Sequence, residues 1–160
     1  MTANAEKYEV AGFIDGDPSF FMHQVEGREN REAMAFVASA LSFGSRRQFM
    51  GKIAFILRQS RGEVDSYIRS GAFAEDFRET DETCFYRFFS HRAFFLFLRD
   101  FRRLLEEHGT LGAFVRKNAS TGMEAVRAIC GYFAARGASG VIPKDATGAC
   151  KRVGMFLRWM

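Results

Sequence analysis

The sequence contains little proline and no long apolar run. Only two of its 160 residues are proline, whereas 19 are phenylalanine. Scarce proline together with abundant Ala, Leu, Met and Arg favours long helices over turn-rich sandwiches. Because no stretch of about 18 uncharged apolar residues occurs, no membrane-spanning helix is predicted. The first ten residues are polar and charged, unlike a signal peptide, so we expect a cytoplasmic protein without membrane contact.

The sequence contains no recognisable motif for binding a metal or a cofactor. The three cysteines are widely spaced without a CxxC pair, which argues against a disulfide framework or a zinc site. The three histidines are far apart, and neither a Walker A nor a GxGxxG sequence occurs. We therefore predict no metal and no cofactor, and we interpret Cys84, Cys130 and Cys150 as buried structural thiols.

Charge is unevenly distributed along the chain. The net charge is +4, with three basic and seven acidic side chains in residues 1–40, but twenty basic and twelve acidic side chains in residues 41–160. Arginine dominates the basic set, and its planar guanidinium suits phosphate contacts and stacking on flat rings. A basic, Arg-rich body is compatible with binding to nucleic acid.

Apolar periodicity predicts one all-α domain over residues 30–160, after an extended lead-in over residues 1–29. Asn30 is the expected N-cap of its first helix. Thr121 and Glu124 have the spacing of a capping box, which predicts another helix start. The predicted helices cover residues 30–43, 45–60, 63–70, 92–108, 111–116, 121–137 and from 147 or 148 to the end of the sequence.

Lys151 stands out in the first turn of the last predicted helix. The positive end of a helix dipole favours phosphate and the neutral form of a nearby amine. A neutral amine can attack a sugar carbon and form a Schiff base. The alternative is an ordinary solvated lysine at a helix start.

The Phe-rich segments also have two interpretations. Interleaved arginines could let the aromatic rings stack on bases. Their helical spacing favours the second interpretation, in which the rings form the core and the arginines face water. The arginines concerned are Arg87, Arg92, Arg99, Arg102 and Arg103.

Four segments resemble an uncharacterised bacterial family, the Domain of Unknown Function twenty-four-hundred family. The last twelve residues, ACKRVGMFLRWM, resemble its signature SACKRLNMFLRWMVR. Residues 13–23 resemble its FxxxDPxxxxH block, residues 35–46 its AFIAAxxAFGNR helix end, and residues 85–88 its YRF block. The resemblance covers essentially the whole chain.

That family is in turn similar to the helix-hairpin-helix DNA glycosylase superfamily, which implies an orthogonal multi-helix domain that is incomplete at its C-terminus. Glycosylases of the archaeal 8-oxoguanine type carry a lysine followed five residues later by Phe-Leu-Arg, as Lys151 is here. The resemblance implies that Lys151 is the nucleophile that attacks the deoxyribose after base flipping, with Arg158 a packing or phosphate residue. The predicted nucleic-acid contacts are Arg46, Arg47, Lys144, Arg152 and Arg158.

The resemblance also implies an aspartate in a PLDTH-like segment beyond Met160. We therefore expect the chain to be part of a longer protein and catalytically incomplete as given. Two other functions stay open. One is a module that binds DNA or RNA backbone without chemistry, and the other is an interaction domain that self-associates through its apolar C-terminal helix, including Trp159.

Overall fold

A computed structural model describes residues 16–136, 140–146 and 150–160 of the chain. The described residues are mostly helical, which confirms the all-α prediction. Within these ranges, each helix is too short or too polar to cross a lipid bilayer. The α-helices are α1 (Arg28–Leu41), α2 (Arg46–Gln59), α3 (Val64–Ser70), α4 (His91–His108), α5 (Leu111–Asn118), α6 (Gly122–Ala134) and α7 (Lys151–Trp159).

The central element is α1, which is buried continuously from Glu32 to Leu41. The ring of Phe36 is fully buried near the middle of this helix. It contacts four further rings at centroid separations of 4.8–5.8 Å, and these rings come from α4, α6 and α7: Phe97, Phe101, Phe133 and Phe156. We call this set the Phe36 core. It ties α7 to α1.

Asn30 does not cap α1, so that prediction is wrong. The helix begins two residues earlier, after Gly27, whose φ of 85° favours glycine. The buried side chain of Asn30 instead accepts a hydrogen bond from the Asp65 N–H at 3.0 Å and donates one to the Gly62 carbonyl at 2.8 Å. Asn30 therefore stabilises the start of α3, a partner that lies more than thirty residues away along the chain.

The capping box of α6 is confirmed. The Glu124 N–H donates to the Thr121 hydroxyl at 3.2 Å, and the Glu124 carboxylate accepts from the Thr121 N–H at 3.2 Å. The helix ends at Ala134, so its predicted continuation to 137 is too long. Residues 137–139 and 147–149, including the predicted start of the last helix at 147 or 148, lie outside the described residues.

The described part of the predicted lead-in is not extended. A 3-10 helix covers Pro18–Gln24, because the Asp17 carboxylate accepts the Ser19 N–H at 2.8 Å and Pro18 fixes the first helical φ. Phe21 and Met22 of this helix are buried in the core. The helix α1 begins at Arg28, two residues before the predicted start of the domain at 30.

A small β-hairpin precedes α4, and the sequence did not predict it. Its antiparallel strands are β1 (Cys84–Tyr86) and β2 (Phe89–Ser90), joined by a two-residue loop, Arg87 and Phe88. Arg87 has a positive φ of 53°, a conformation that glycine usually supplies in such loops. A second 3-10 helix covers Ala72–Glu75.

Candidate functional site

One face of α7 presents two cations with a glycine between them. Lys151 and Arg158 are exposed, and with Cys150 and Gly154 they line an open depression of about 390 Å³. A side chain added at Gly154 would have no atom within 4 Å of its Cβ. None of the described residues that line this depression is acidic. The face is therefore an open, positively charged surface.

Arg152 follows Lys151 in the chain, but its side chain packs against α1 and the turn that follows α1. Its guanidinium donates to the Ala40 carbonyl at 2.9 Å and lies 5.0 Å from the centroid of the Phe43 ring. Burial lowers the pKa of Arg152, which is the usual effect of removing a cation from water. These contacts hold the start of α7 against the C-terminal end of α1. A direct contact between Arg152 and nucleic acid stays a prediction.

The other predicted contacts lie outside this depression. Arg46 and Arg47 are exposed in the first turn of α2, which has no acidic side chain and no side-chain cap. Cations at the positive end of a helix cost stability, and they reinforce its attraction for anions. Lys144 is exposed in the segment that precedes α7. The structure thus brings Lys151 and Arg158 together at one depression, which Arg46, Arg47 and Lys144 do not line.

The hairpin packs on the turn between α1 and α2 through aromatic side chains. The Tyr86 hydroxyl donates to the Phe43 carbonyl, and the Phe88 ring is stacked on the Phe43 ring at 5.4 Å with an interplanar angle of 21°. Phe89 meets the Phe43 ring edge-on at 5.1 Å. We call the half-buried Phe43 and the exposed Phe88 the surface aromatic cluster, whereas Tyr86 and Phe89 are buried in the core. Arg152 joins this cluster to α7, because its guanidinium lies over the Phe43 and Phe89 rings.

An open groove runs between α2 and the hairpin, and we call it the α2–hairpin groove. It has two lobes that share Gln48, Lys52 and Phe85. The first lobe, of about 620 Å³, ends at the hairpin loop with Arg87 and Phe88. The second lobe, of about 350 Å³, continues along α2 to a further arginine and to the start of α4; the residues found only there are Gly51, Phe55, Arg58 and His91.

The cations of this groove have no acidic partners. No salt bridge within the described ranges involves Lys52, Arg58 or Arg87, and no described lining residue of either lobe is acidic. The Lys52 ammonium lies 4.8 Å from the centroid of the Phe85 ring. The groove therefore combines aromatic rings with uncompensated positive charge.

Unlike the cations of the groove, three arginines of α4 have acidic partners, although the sequence analysis grouped them with Arg87. Each of three lies against a carboxylate at 2.9–3.1 Å, which leaves little charge for a ligand. The pairs are Arg92 with Glu82, Arg99 with Asp100, and Arg102 with Glu106.

The cysteines are only partly as predicted. Cys130 is buried, whereas Cys84 is exposed, so the prediction of three buried thiols is wrong for Cys84. The sulfur atoms of Cys130 and Cys150 are 3.9 Å apart, and burial raises the pKa of Cys130 to about 12. Among the residues that the structure describes, no group of three side chains could hold a metal ion.

Arg87, Phe88 and Lys52 are the functional candidates that sequence reasoning overlooked or left undecided. Their spacing in the chain gives no sign that a helix and a hairpin bring them together.

The sequence model of one protein family, described as Protein of unknown function (DUF2400), matches residues 17–160. No curated protein and no solved structure matches the chain significantly.

Proposed function

The chain belongs to the DUF2400 family. We propose that it binds nucleic acid and supplies Lys151 as the nucleophile of a DNA-glycosylase-like site, in which base loss requires a further, acidic group. The observation that carries the proposal is the face of α7. Lys151 and Arg158 flank the open space above Gly154, without an acidic neighbour among the described lining residues. An amine and a guanidinium on one accessible face can engage a sugar and its phosphate together.

In the proposed reaction the Lys151 amine attacks C1′ of a deoxyribose. The N-glycosidic bond breaks, the base leaves with the bonding electron pair and takes up a proton, and the nitrogen loses one proton to give an aminal. The C1′–O4′ bond then breaks, the ring oxygen keeps its electron pair and takes up a proton, and the nitrogen lone pair forms the C1′=N bond of the Schiff base. Arg158 holds a neighbouring phosphate by a charge-assisted hydrogen bond. Arg152 positions the helix through its bond to the Ala40 carbonyl.

Borohydride trapping on abasic DNA tests the nucleophile. An abasic site already lacks its base, so the trapping requires only an accessible amine and not a second group that assists base loss. We expect a covalent adduct with the native chain, its loss in Lys151→Ala, and its retention in Lys144→Ala, a matched exposed lysine. No adduct with the native chain, or an adduct that survives Lys151→Ala, would contradict the catalytic part of the proposal.

Gly154 offers an independent test of the binding surface. Gly154→Leu fills the depression between the two cations, and Leu is a good helix former, so the fold should be retained. We expect affinity for abasic DNA to fall by about tenfold or more, whereas the smaller Gly154→Ala change leaves it within about twofold. Equal affinities of both variants and the native chain would show that nucleic acid does not bind this face.

A module that binds nucleic acid without chemistry is the second candidate, because the exposed cations need no catalytic role to attract phosphate. Its affinity should fall steeply with salt, since each phosphate contact releases counterions. Trapping separates it from the first candidate: strong salt-dependent binding without an adduct favours this function. Self-association through α7 also stays a prediction, which Trp159→Ser would test by abolishing any concentration-dependent dimer.

A further inference from the structure

The α2–hairpin groove has the chemistry of a binding site for single-stranded nucleic acid. We propose that an unstacked base lies against Phe88 and that the flanking phosphates lie along Lys52, Arg58 and Arg87. This inference rests on the proposed function for its class of ligand, but it assigns a second surface, distinct from the Lys151 face. The groove would hold the strand, whichever chemistry the other face performs.

The first observation is the position of Phe88 at the tip of the hairpin. Its side chain is 76% exposed, and one of its faces is stacked on the Phe43 ring. The stack holds the orientation of Phe88, the Arg87 guanidinium lies 5.7 Å from its centroid, and the high exposure leaves most of the ring accessible to a base. Base stacking on exposed rings is the general way in which proteins bind single strands, and it requires bases that are not already stacked in a duplex.

The second observation is the charge of the groove. Three cations line it without an acidic partner among the described residues, and the neighbouring ring of Phe85 provides an apolar floor. Positive charge alone would also suit an acidic peptide. The combination of a stacking platform with cations at both ends favours alternating bases and phosphates over carboxylate side chains.

The third observation is the backbone of Arg87. Its φ of 53° is a conformation in which glycine is unstrained and arginine is not. The Arg87 side chain covers Gly44 so closely that a Cβ there would lie 2.9 Å from the Arg87 Cδ. These contacts hold the Arg87 side chain over the turn between α1 and α2, which keeps its guanidinium at the end of the first lobe.

Arg87→Gly separates binding from folding, and Arg61→Gly is its matched control. Arg61 is also exposed, also has a φ of 53°, and lies outside both lobes of the groove. Both changes remove one charge and relieve one strained backbone position, so both should raise or maintain the melting temperature. With a labelled oligothymidylate of about 16 nucleotides, we expect only Arg87→Gly to weaken binding, by about threefold to tenfold.

Phe88 gives the larger effect. Phe88→Ala should weaken binding of the same oligonucleotide by about tenfold or more, while Phe88→Trp should retain it, because tryptophan restores the platform. The melting temperature of each variant checks that the hairpin is intact. Lys52→Gln provides a further charge change within the groove and should lower the dependence of affinity on salt.

Three results would overturn the groove as the site. They are unchanged affinity in Phe88→Ala, equal effects of Arg87→Gly and Arg61→Gly, and competition by polyglutamate at the same charge concentration as the oligonucleotide. Lys151→Ala in the same assay separates the two proposals. A lost Lys151 adduct with normal strand binding leaves the groove intact, whereas a normal adduct with strand binding insensitive to Phe88 rejects the groove alone.

Discussion

The Phe36 core and the surface aromatic cluster are built from the same kind of side chain, and they differ in what covers the rings. The ring of Phe36 is fully buried among other aromatic rings, whereas Phe88 is 76% exposed and stacks on a ring that is itself covered by Arg152. The comparison shows that aromatic content alone does not separate core from binding surface. The neighbours of each ring decide its role, and these neighbours come from distant parts of the chain.

The largest expected effect tests the comparison directly. Phe36→Ala removes the ring at the centre of the core and should lower the free energy of unfolding by ~3–5 kcal/mol. Phe88→Ala removes the same atoms from the surface and should cost less than ~1 kcal/mol. Chemical denaturation of both variants measures the difference. Similar losses would mean that the surface aromatic cluster is a second core.

The sequence predicted the helices well, because their signals are local. The capping residues Thr121 and Glu124 lie within one helical turn, and the apolar stripe of α4 repeats over its whole length. The hairpin was missed because its strands are only three and two residues long, too short for an alternating pattern to show.

Contacts between residues that are far apart in the chain could not be predicted from the sequence. Asparagine is a residue type that favours helix caps, but the side chain of Asn30 caps α3 and not α1, the helix in which it lies. Exposure of Lys151 and Arg158 follows from helical spacing. The burial of Arg152 between them does not, since its partner Ala40 lies 112 residues away in the chain.

The buried carboxylate of Glu32 shows that polar side chains also stabilise the interior of the fold. Its carboxylate accepts the Leu111 N–H at 2.9 Å and the Gly112 N–H at 2.7 Å, and so caps the first turn of α5. Glu32→Ala leaves both donors without a partner and should lower the free energy of unfolding by ~2 kcal/mol. Glu32→Gln keeps an acceptor and should cost less. Equal costs for the two variants would show that the contacts of the side chain stem matter more than its oxygens.

The pH dependence of Glu32 has a definite sign. Burial raises its pKa above the ordinary value of 4.5, against the opposing effect of the two N–H groups. The folded state therefore holds the proton more tightly than the unfolded state. The corresponding stability is fully present below pH 4.5 and is lost as the pH rises through the folded pKa. The free energy of unfolding of the native chain relative to Glu32→Gln should decrease over that interval.

The smallest expected effect compares two arginines of one helix. Arg152→Met leaves the Ala40 carbonyl without its donor and uncovers the Phe43 ring, so the free energy of unfolding should fall by ~1–2 kcal/mol. Arg158→Met removes an exposed guanidinium and should change it by less than ~0.5 kcal/mol. Thermal unfolding distinguishes them. A reversed order would remove Arg152 as the residue that positions α7.

The docking of α7 on α1 has a consequence for the order of folding. A helix of nine residues is marginal by itself, and its contacts with α1 close a loop that spans most of the chain. The entropic cost of closing that loop is offset only when Phe156 packs on the other rings of the Phe36 core, which must already be in place. Amide hydrogens of α7 should therefore exchange through a partial opening, well before those of α1. We therefore expect the face that carries Lys151 to be lost in that partial opening, before α1 unfolds.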